Sequence, residues 1–140
     1  MLFQRIVLSV SLLLGVVPAF AQLPVFPGAA GFGTNTPAGR GGTVYKVTNL
    51  NASGAGSLNA CTDASGPRVC IFEISGTISL TSDINVTNPY LTIAGQTAPS
   101  PGITLRGAAL RISASDVLVQ HIRLRAGDAL AGPNLTIAIA

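Results

Sequence analysis

The stretch that decides the fold is NPYLTIAGQTAPSPGITLRG, residues 88–107. Apolar residues alternate with small or polar ones at 91–93 and again at 103–105, which is the period of a half-buried strand. Glycine and proline residues between positions 95 and 102 interrupt that pattern and indicate a turn. Similar strand-and-turn units precede and follow this stretch, so the sequence predicts one coil of a repeating structure.

The repeat has a loose period. FEISG at 72–76 resembles LTIAG at 91–95 about 19 residues later, and LTI at 91–93 aligns with VLV at 117–119 about 26 residues later. Spacings of about 20 to 26 residues are typical of β-solenoid coils. Short strands rich in β-branched residues, without a long helix, argue against a doubly wound α/β fold. The pattern therefore favours an all-β solenoid, with a β-sandwich as the alternative.

Three motifs resemble those of the pectate lyase family. They are IAGQTAP at 93–99, VTNLNASGAGSL at 47–58 and VLVQHIRLRAGD at 117–128, and the resemblance extends from about Phe26 to Asp128. It implies an all-β fold, the right-handed parallel β-helix, of which this chain would be the N-terminal portion. The resemblance therefore implies a β-helix that is incomplete at its C-terminal end.

The first elements of the chain can be placed by pattern. Thr43–Val47 alternates apolar and polar residues and is predicted to be the first strand. Ser57 is predicted to be the N-cap of a short helix that runs to about Asp63, with Leu58 and Cys61 on one face. In the family a short helix covers the N-terminal end of the β-helix, where strand edges would otherwise be open. We therefore expect this helix to be an N-terminal cap.

The N-terminus has the pattern of a signal peptide over residues 1–21. Arg5 supplies the positive start, residues 6–17 are apolar, and AFA at 19–21 is an A-x-A cleavage site. The alternative is an uncleaved membrane anchor. The sequence thus predicts a secreted protein, extracellular or periplasmic, whose β-helix domain covers residues 22–140 and has no membrane association after cleavage.

The charge of the exported chain is weakly basic. Without Arg5, seven basic residues face five acidic ones, a net charge of +2. This charge permits an acidic polysaccharide partner, and the family resemblance implies pectate or polygalacturonate. Nucleic acid is not indicated, because no cluster of Lys and Arg is interleaved with aromatic residues. A full-length protein of this kind is expected to be a monomer.

Cys61 and Cys70 are the two cysteines of the chain. An even number in an exported protein suggests a disulfide. Closing this loop of about ten residues would stabilise the fold by roughly 2–3 kcal/mol. The alternative is two separate, reduced and buried thiols.

The catalytic chemistry that the resemblance implies is β-elimination on polygalacturonate with Ca²⁺ as cofactor. In the family the calcium-binding acids and the catalytic arginine lie on later coils, so no catalytic residue is assigned in this chain. The five acidic residues are widely spread and form no D-x-D motif. They are Asp63, Glu73, Asp83, Asp116 and Asp128. Whether this chain is itself an enzyme is therefore left open.

The strand VQHIRLR at 119–125 contains the best candidates for substrate binding. Alternation places His121, Arg123 and Arg125 on one face, where they could contact uronate carboxylates. Asp128, just beyond, is the candidate metal ligand. The alternative is a solvated face on which an Arg–Asp pair closes a turn.

Two other functions remain open on the same fold. One is a non-catalytic β-helix that binds polysaccharide or acts as an adhesin. The other is a glycoside hydrolase, which would require two carboxyl groups across the scissile bond. Calcium-coordinating acids would favour the lyase, paired carboxylates without metal would favour the hydrolase, and neither would favour the binding protein.

Overall fold

The chain winds in successive coils, and each coil adds strands to the same three sheets. A computed structural model of the protein describes residues 23–31, residues 33–125 and the backbone of residues 137–139. The helical elements are α1 (Leu58–Asp63) and one 3₁₀ turn (Gly95–Thr97). The strands are β1 (Thr43–Val47), β2 (Arg68–Phe72), β3 (Gly76–Ser79), β4 (Ile84–Val86), β5 (Leu91–Ala94), β6 (Ile103–Arg106), β7 (Leu110–Ile112), β8 (Val117–Gln120), β9 (Ile122–Arg125) and β10 (Ile137–Ile139).

The strands form three parallel sheets, in the orders β1-β2-β5-β8, β3-β6-β9 and β4-β7-β10. The chain visits the three sheets in turn, as in a parallel β-helix. All strand pairs within the described residues are parallel. This excludes the β-sandwich, whose sheets are antiparallel. The predicted all-β architecture with parallel coils and little helix is therefore confirmed.

The register of the first sheet confirms one predicted repeat and corrects the other. Leu91 pairs with Val117, as the repeat of about 26 residues requires. Leu91 does not align with Phe72, however, because its partner on the other side is Arg68. Phe72 is the last residue of β2, and β3 begins at Gly76. Most of the segment FEISG therefore lies in the turn between the two strands and not in a strand. Apolar alternation persists past the strand end, which is why the sequence suggested the wrong register.

The core is a stack of inward-facing apolar side chains from successive coils. Buried residues alternate with less buried ones in β2, β4, β6 and β7. The burial of each apolar side chain stabilises the fold by about 1.5–3 kcal/mol. The members with at most 2% exposure include Val47, Phe72, Ile78, Val86, Leu91, Ile93, Ile103, Leu105 and Leu110. The stack runs through all three sheets, so neighbouring coils share one continuous core.

Helix α1 begins and ends as the sequence predicts. The Ser57 hydroxyl accepts a hydrogen bond from the Ala60 N–H at 3.2 Å, which satisfies one free donor of the first turn. Leu58 and Cys61 are buried, and Cys61 forms a disulfide with Cys70 of β2 across a Cα–Cα distance of 6.0 Å. The predicted disulfide is therefore confirmed. The role of the helix as the cap of the β-helix remains a prediction.

The predicted signal peptide at residues 1–21 lies outside the described residues. In the part of the chain that is described, no helix combines the length and the apolar character needed to cross a bilayer.

Candidate functional site

The predicted strand at 119–125 is divided at His121. Its backbone has φ of 54°, and this left-handed conformation separates β8 from β9. The two strands belong to different sheets, because β8 pairs with β5 whereas β9 pairs with β6. The prediction that one continuous strand presents His121 together with both arginines is therefore wrong. The chain must turn a corner here so that each half reaches its partner strand.

The alternation predicted for the second half is present in β9. Arg123 and Arg125 are exposed, while Ile122 and Leu124 are half-buried against the core. His121 is also exposed, but it lies at the corner before the strand. The three predicted binding residues thus lie on one side of the molecule without sharing a single strand face.

A shallow groove brings His121 and Arg123 together. It has a volume of about 410 Å³, and its lining includes Gln96, Ser100 and Pro101 from the turn of the preceding coil. Arg123 donates from Nη1 to the Pro101 carbonyl oxygen at 2.5 Å, so its guanidinium is held against that turn. Arg125 is not part of this groove. The groove therefore offers one restrained cation and one imidazole to a ligand.

The sequence prediction missed Arg106. This exposed residue ends β6 and pairs in register with Arg125 of β9. The two arginines therefore occupy the same position in successive coils. The sequence contains one signal of this pairing, because the separation of the two arginines along the chain is close to the repeat of about 19 residues noted above. No residue near either arginine shows that this repeat sets the strand register of the sheet.

Two ion pairs engage charged side chains on or beside the other two sheets. Lys46 lies 2.6 Å from Glu73, and this hydrogen bond and charge raise the pKa of Lys46. Asp83 accepts hydrogen bonds from the Ala109 N–H at 2.9 Å and from Arg111 at 2.5 Å. Both hydrogen bonds lower the pKa of Asp83, and the one from the Ala109 N–H has the larger effect. Neither pair contributes a free charge to a binding surface.

The described residues do not fit a calcium site. Within them, no group of three or more His, Cys, Asp or Glu side chains could hold a metal ion. The remaining described acids are engaged, since Asp63 accepts from Asn59 at 2.8 Å and Asp116 accepts from Thr36 at 2.7 Å. Ca²⁺ requires six to eight oxygen ligands. The candidate ligand Asp128 lies outside the described residues.

A larger groove of about 600 Å³ lies elsewhere, between the N-terminal segment and the turn that precedes β8. Its lining is mainly apolar, with Val25, Phe26 and Leu118 among the contributors, and it includes Asp116 as a charged side chain. None of the predicted binding residues borders it. Because it offers an apolar wall and a carboxylate, this groove does not suit an acidic ligand.

The face that carries the exposed side chains of Arg106, Arg123 and Arg125 has the chemistry to bind anions. An arginine side chain stays protonated at neutral pH and provides five N–H donors, which suit carboxylate oxygens. The arrangement is therefore chemically suited to contact with acidic groups.

Curated proteins from Aspergillus are similar to this chain. "Probable pectate lyase C" of Aspergillus terreus is 43% identical over 125 residues, which is 89% of this chain and 29% of that protein. "Probable pectate lyase C" of Aspergillus fumigatus is 46% identical over 125 residues, and that of Aspergillus oryzae is 46% identical over 108 residues. The chain spans less than a third of the length of these relatives. No protein-family model matches it.

Proposed function

Because this chain is related to the pectate lyase family over most of its own length, we propose that the protein acts on pectate-like acidic polysaccharide. The observation that carries the proposal is the outward face of β9, on which Arg123 and Arg125 are both exposed. Guanidinium groups bind carboxylates through paired N–H donors. His121 lies beside Arg123 in the same groove and would contact the same sugar chain.

We propose that the described residues bind the polysaccharide and that other coils carry out the elimination reaction. The described acids are spread over the fold and engaged with other groups, so we assign no step to calcium and no catalytic base here. The chain would supply the N-terminal coils of a right-handed β-helix, with α1 covering their open end. Relatives more than three times as long as the matched region leave room for a catalytic centre on other coils.

An assay with this chain tests the proposal directly. Purified, monodisperse protein is incubated with polygalacturonate and Ca²⁺, and unsaturated uronides are followed by ultraviolet absorbance while binding is measured by affinity electrophoresis. We expect retarded migration in polygalacturonate gels and no unsaturated product. A wild-type chain that shows no retardation would contradict the proposed binding. Calcium-dependent turnover that disappears in Arg123→Gln would contradict the proposed division of labour.

Two further measurements separate the other functions. New reducing ends without ultraviolet absorbance would indicate hydrolysis, since only elimination leaves an unsaturated sugar. Binding without any product from a version extended to the length of the relatives would indicate a non-catalytic polysaccharide-binding protein or adhesin.

We also propose that the protein is secreted and begins at Gln22 after removal of residues 1–21. The support is the apolar stretch that ends in AFA at 19–21. N-terminal sequencing of the exported protein tests this proposal, and a mature form that begins at Met1 would contradict it.

A further inference from the structure

Arg106 and Arg125 form a pair of like charges that nothing in the described structure neutralises. They pair in register on the adjacent parallel strands β6 and β9, which places their backbones about 4.8 Å apart. Both side chains are exposed, and neither has a hydrogen bond or an ion pair with any described residue. Like charges on directly neighbouring strands are unfavourable.

The other described basic side chains are all engaged. Arg40 donates to the carbonyl oxygens of Leu23 and Pro24, and Arg123 donates to that of Pro101. Lys46 and Arg111 have acidic partners, and the buried Arg68 is bonded to main-chain carbonyls. No contact among the described residues offsets the repulsion between Arg106 and Arg125, so their arrangement suits a bound anion.

We propose that Arg106 and Arg125 form an arginine ladder that binds a linear polyuronate lying along the axis of the coils, with successive carboxylates on successive coils. This inference rests on the proposed function and specifies the ligand and its direction. The rise from one strand to the next is close to the length of one hexose in an extended chain. A polymer with one carboxylate on every sugar can therefore match the arginines of these two successive coils.

The neighbouring positions of the same face suit a sugar chain. Ser79 continues the row of Arg106 and Arg125, because β3 pairs with β6 in register. A second row contains Thr77, Thr104 and Arg123. Hydroxyl groups both donate and accept hydrogen bonds, so these rows can contact sugar hydroxyls beside the carboxylates. Both rows run along the axis of the coils, which sets the direction of the bound polymer.

Binding measurements on the full chain test the ladder. The variants are Arg106→Gln, Arg125→Gln and the double variant, and the matched control is Arg111→Gln, which removes the same charge from a different sheet. The probes are galacturonate oligomers, monomeric galacturonate, fully methyl-esterified oligomers and a sulfated polysaccharide. Each single variant loses the charged hydrogen bonds between one guanidinium and one carboxylate. We therefore expect each to bind oligomers about tenfold more weakly. Arg111→Gln should remain within about twofold of wild type.

Each result has one interpretation. Oligomer binding that depends on both arginines, rises with salt dilution and is lost on methyl esterification would support the ladder. Equal losses in Arg111→Gln and Arg106→Gln would overturn it, because they would reflect net charge alone. Monomer that binds as tightly as oligomer would overturn the axial arrangement, and equally strong arginine-dependent binding of the sulfated polysaccharide would overturn the preference for carboxylates.

The ladder and the proposed function fail in different ways. If the wild-type chain binds no polygalacturonate, the proposed function itself fails. If the wild type binds and the double variant binds equally well, the proposed function stands and the ladder fails. Circular dichroism melts of every variant exclude unfolding as the cause. We expect no loss of stability in the Arg106 and Arg125 variants because both side chains are exposed, and a small loss in Arg111→Gln because it breaks the bond to Asp83.

Discussion

Arg68 donates from Nε to the carbonyl oxygen of Cys61 at 2.9 Å, and Cys61 is joined by the disulfide to Cys70, two residues beyond that arginine. Helix α1 is thus attached to β2 by one covalent bond and one buried guanidinium. All five N–H donors of Arg68 are used. The other acceptors are the carbonyl oxygens of Thr62, Gly66, Asn88 and Pro89. Desolvation lowers the pKa of Arg68, and the five carbonyl groups offset part of that cost.

Replacing Arg68 by Met should destabilise the fold by about 3 kcal/mol or more, because five main-chain carbonyls would lose their donor. Arg68→Lys should recover only part of this loss, since an ammonium has three donors and no planar fork. Urea unfolding followed by circular dichroism measures both values. Equal stability of the Lys and wild-type proteins would contradict the role of the fork geometry.

Removing the disulfide should lower the free energy of unfolding by about 2–3 kcal/mol, because the unfolded chain gains the entropy of an open loop. The double variant Cys61→Ala/Cys70→Ala tests this in urea. Its stability should not respond to reductant, whereas the wild type should lose stability on reduction. Alkylation of both thiols in the oxidised, folded wild type would show that the disulfide is absent.

Gly95→Ala should disrupt the contact between two successive coils. A Cβ at this position would lie 2.5 Å from the carbonyl oxygens of Gln120 and His121, which are main-chain atoms that cannot move aside independently. We expect a loss of about 2 kcal/mol or more. The matched control is Gln96→Ala in the same turn, which removes one exposed amide hydrogen bond at 3.2 Å and should cost less than about 1 kcal/mol. Similar melting temperatures for the two variants would contradict this prediction.

Asp83→Asn should remove a pH-dependent contribution to stability. The folded-state pKa of Asp83 lies below its ordinary value, so the ionised form stabilises the fold above that value, and this contribution disappears as the pH falls through the lowered pKa. We expect a difference on the order of 1 kcal/mol at pH 7, which shrinks under acid conditions. Melts of both proteins between neutral and acid pH measure it. A difference that does not change with pH would contradict the assignment.

Local signals in the sequence were sufficient for most of the elements. The strand Thr43–Val47 and the helix Leu58–Asp63 occur at the predicted bounds. The helix could be predicted because Ser57 caps it through a contact that spans only three residues. The repeat from Leu91 to Val117 could be predicted because the two segments share the same apolar alternation.

By itself, the sequence determined the strand and turn pattern, the capped helix and the two cysteines, since each depends on residues close together in the chain or on composition. Only the tertiary structure decided that the chain turns at His121, that Arg106 lies beside Arg125 and that Arg68 is buried. These three outcomes depend on which strand lies next to which. That choice is set by core packing and strand pairing between coils, and because turns of different length separate the strands, no local pattern encodes it.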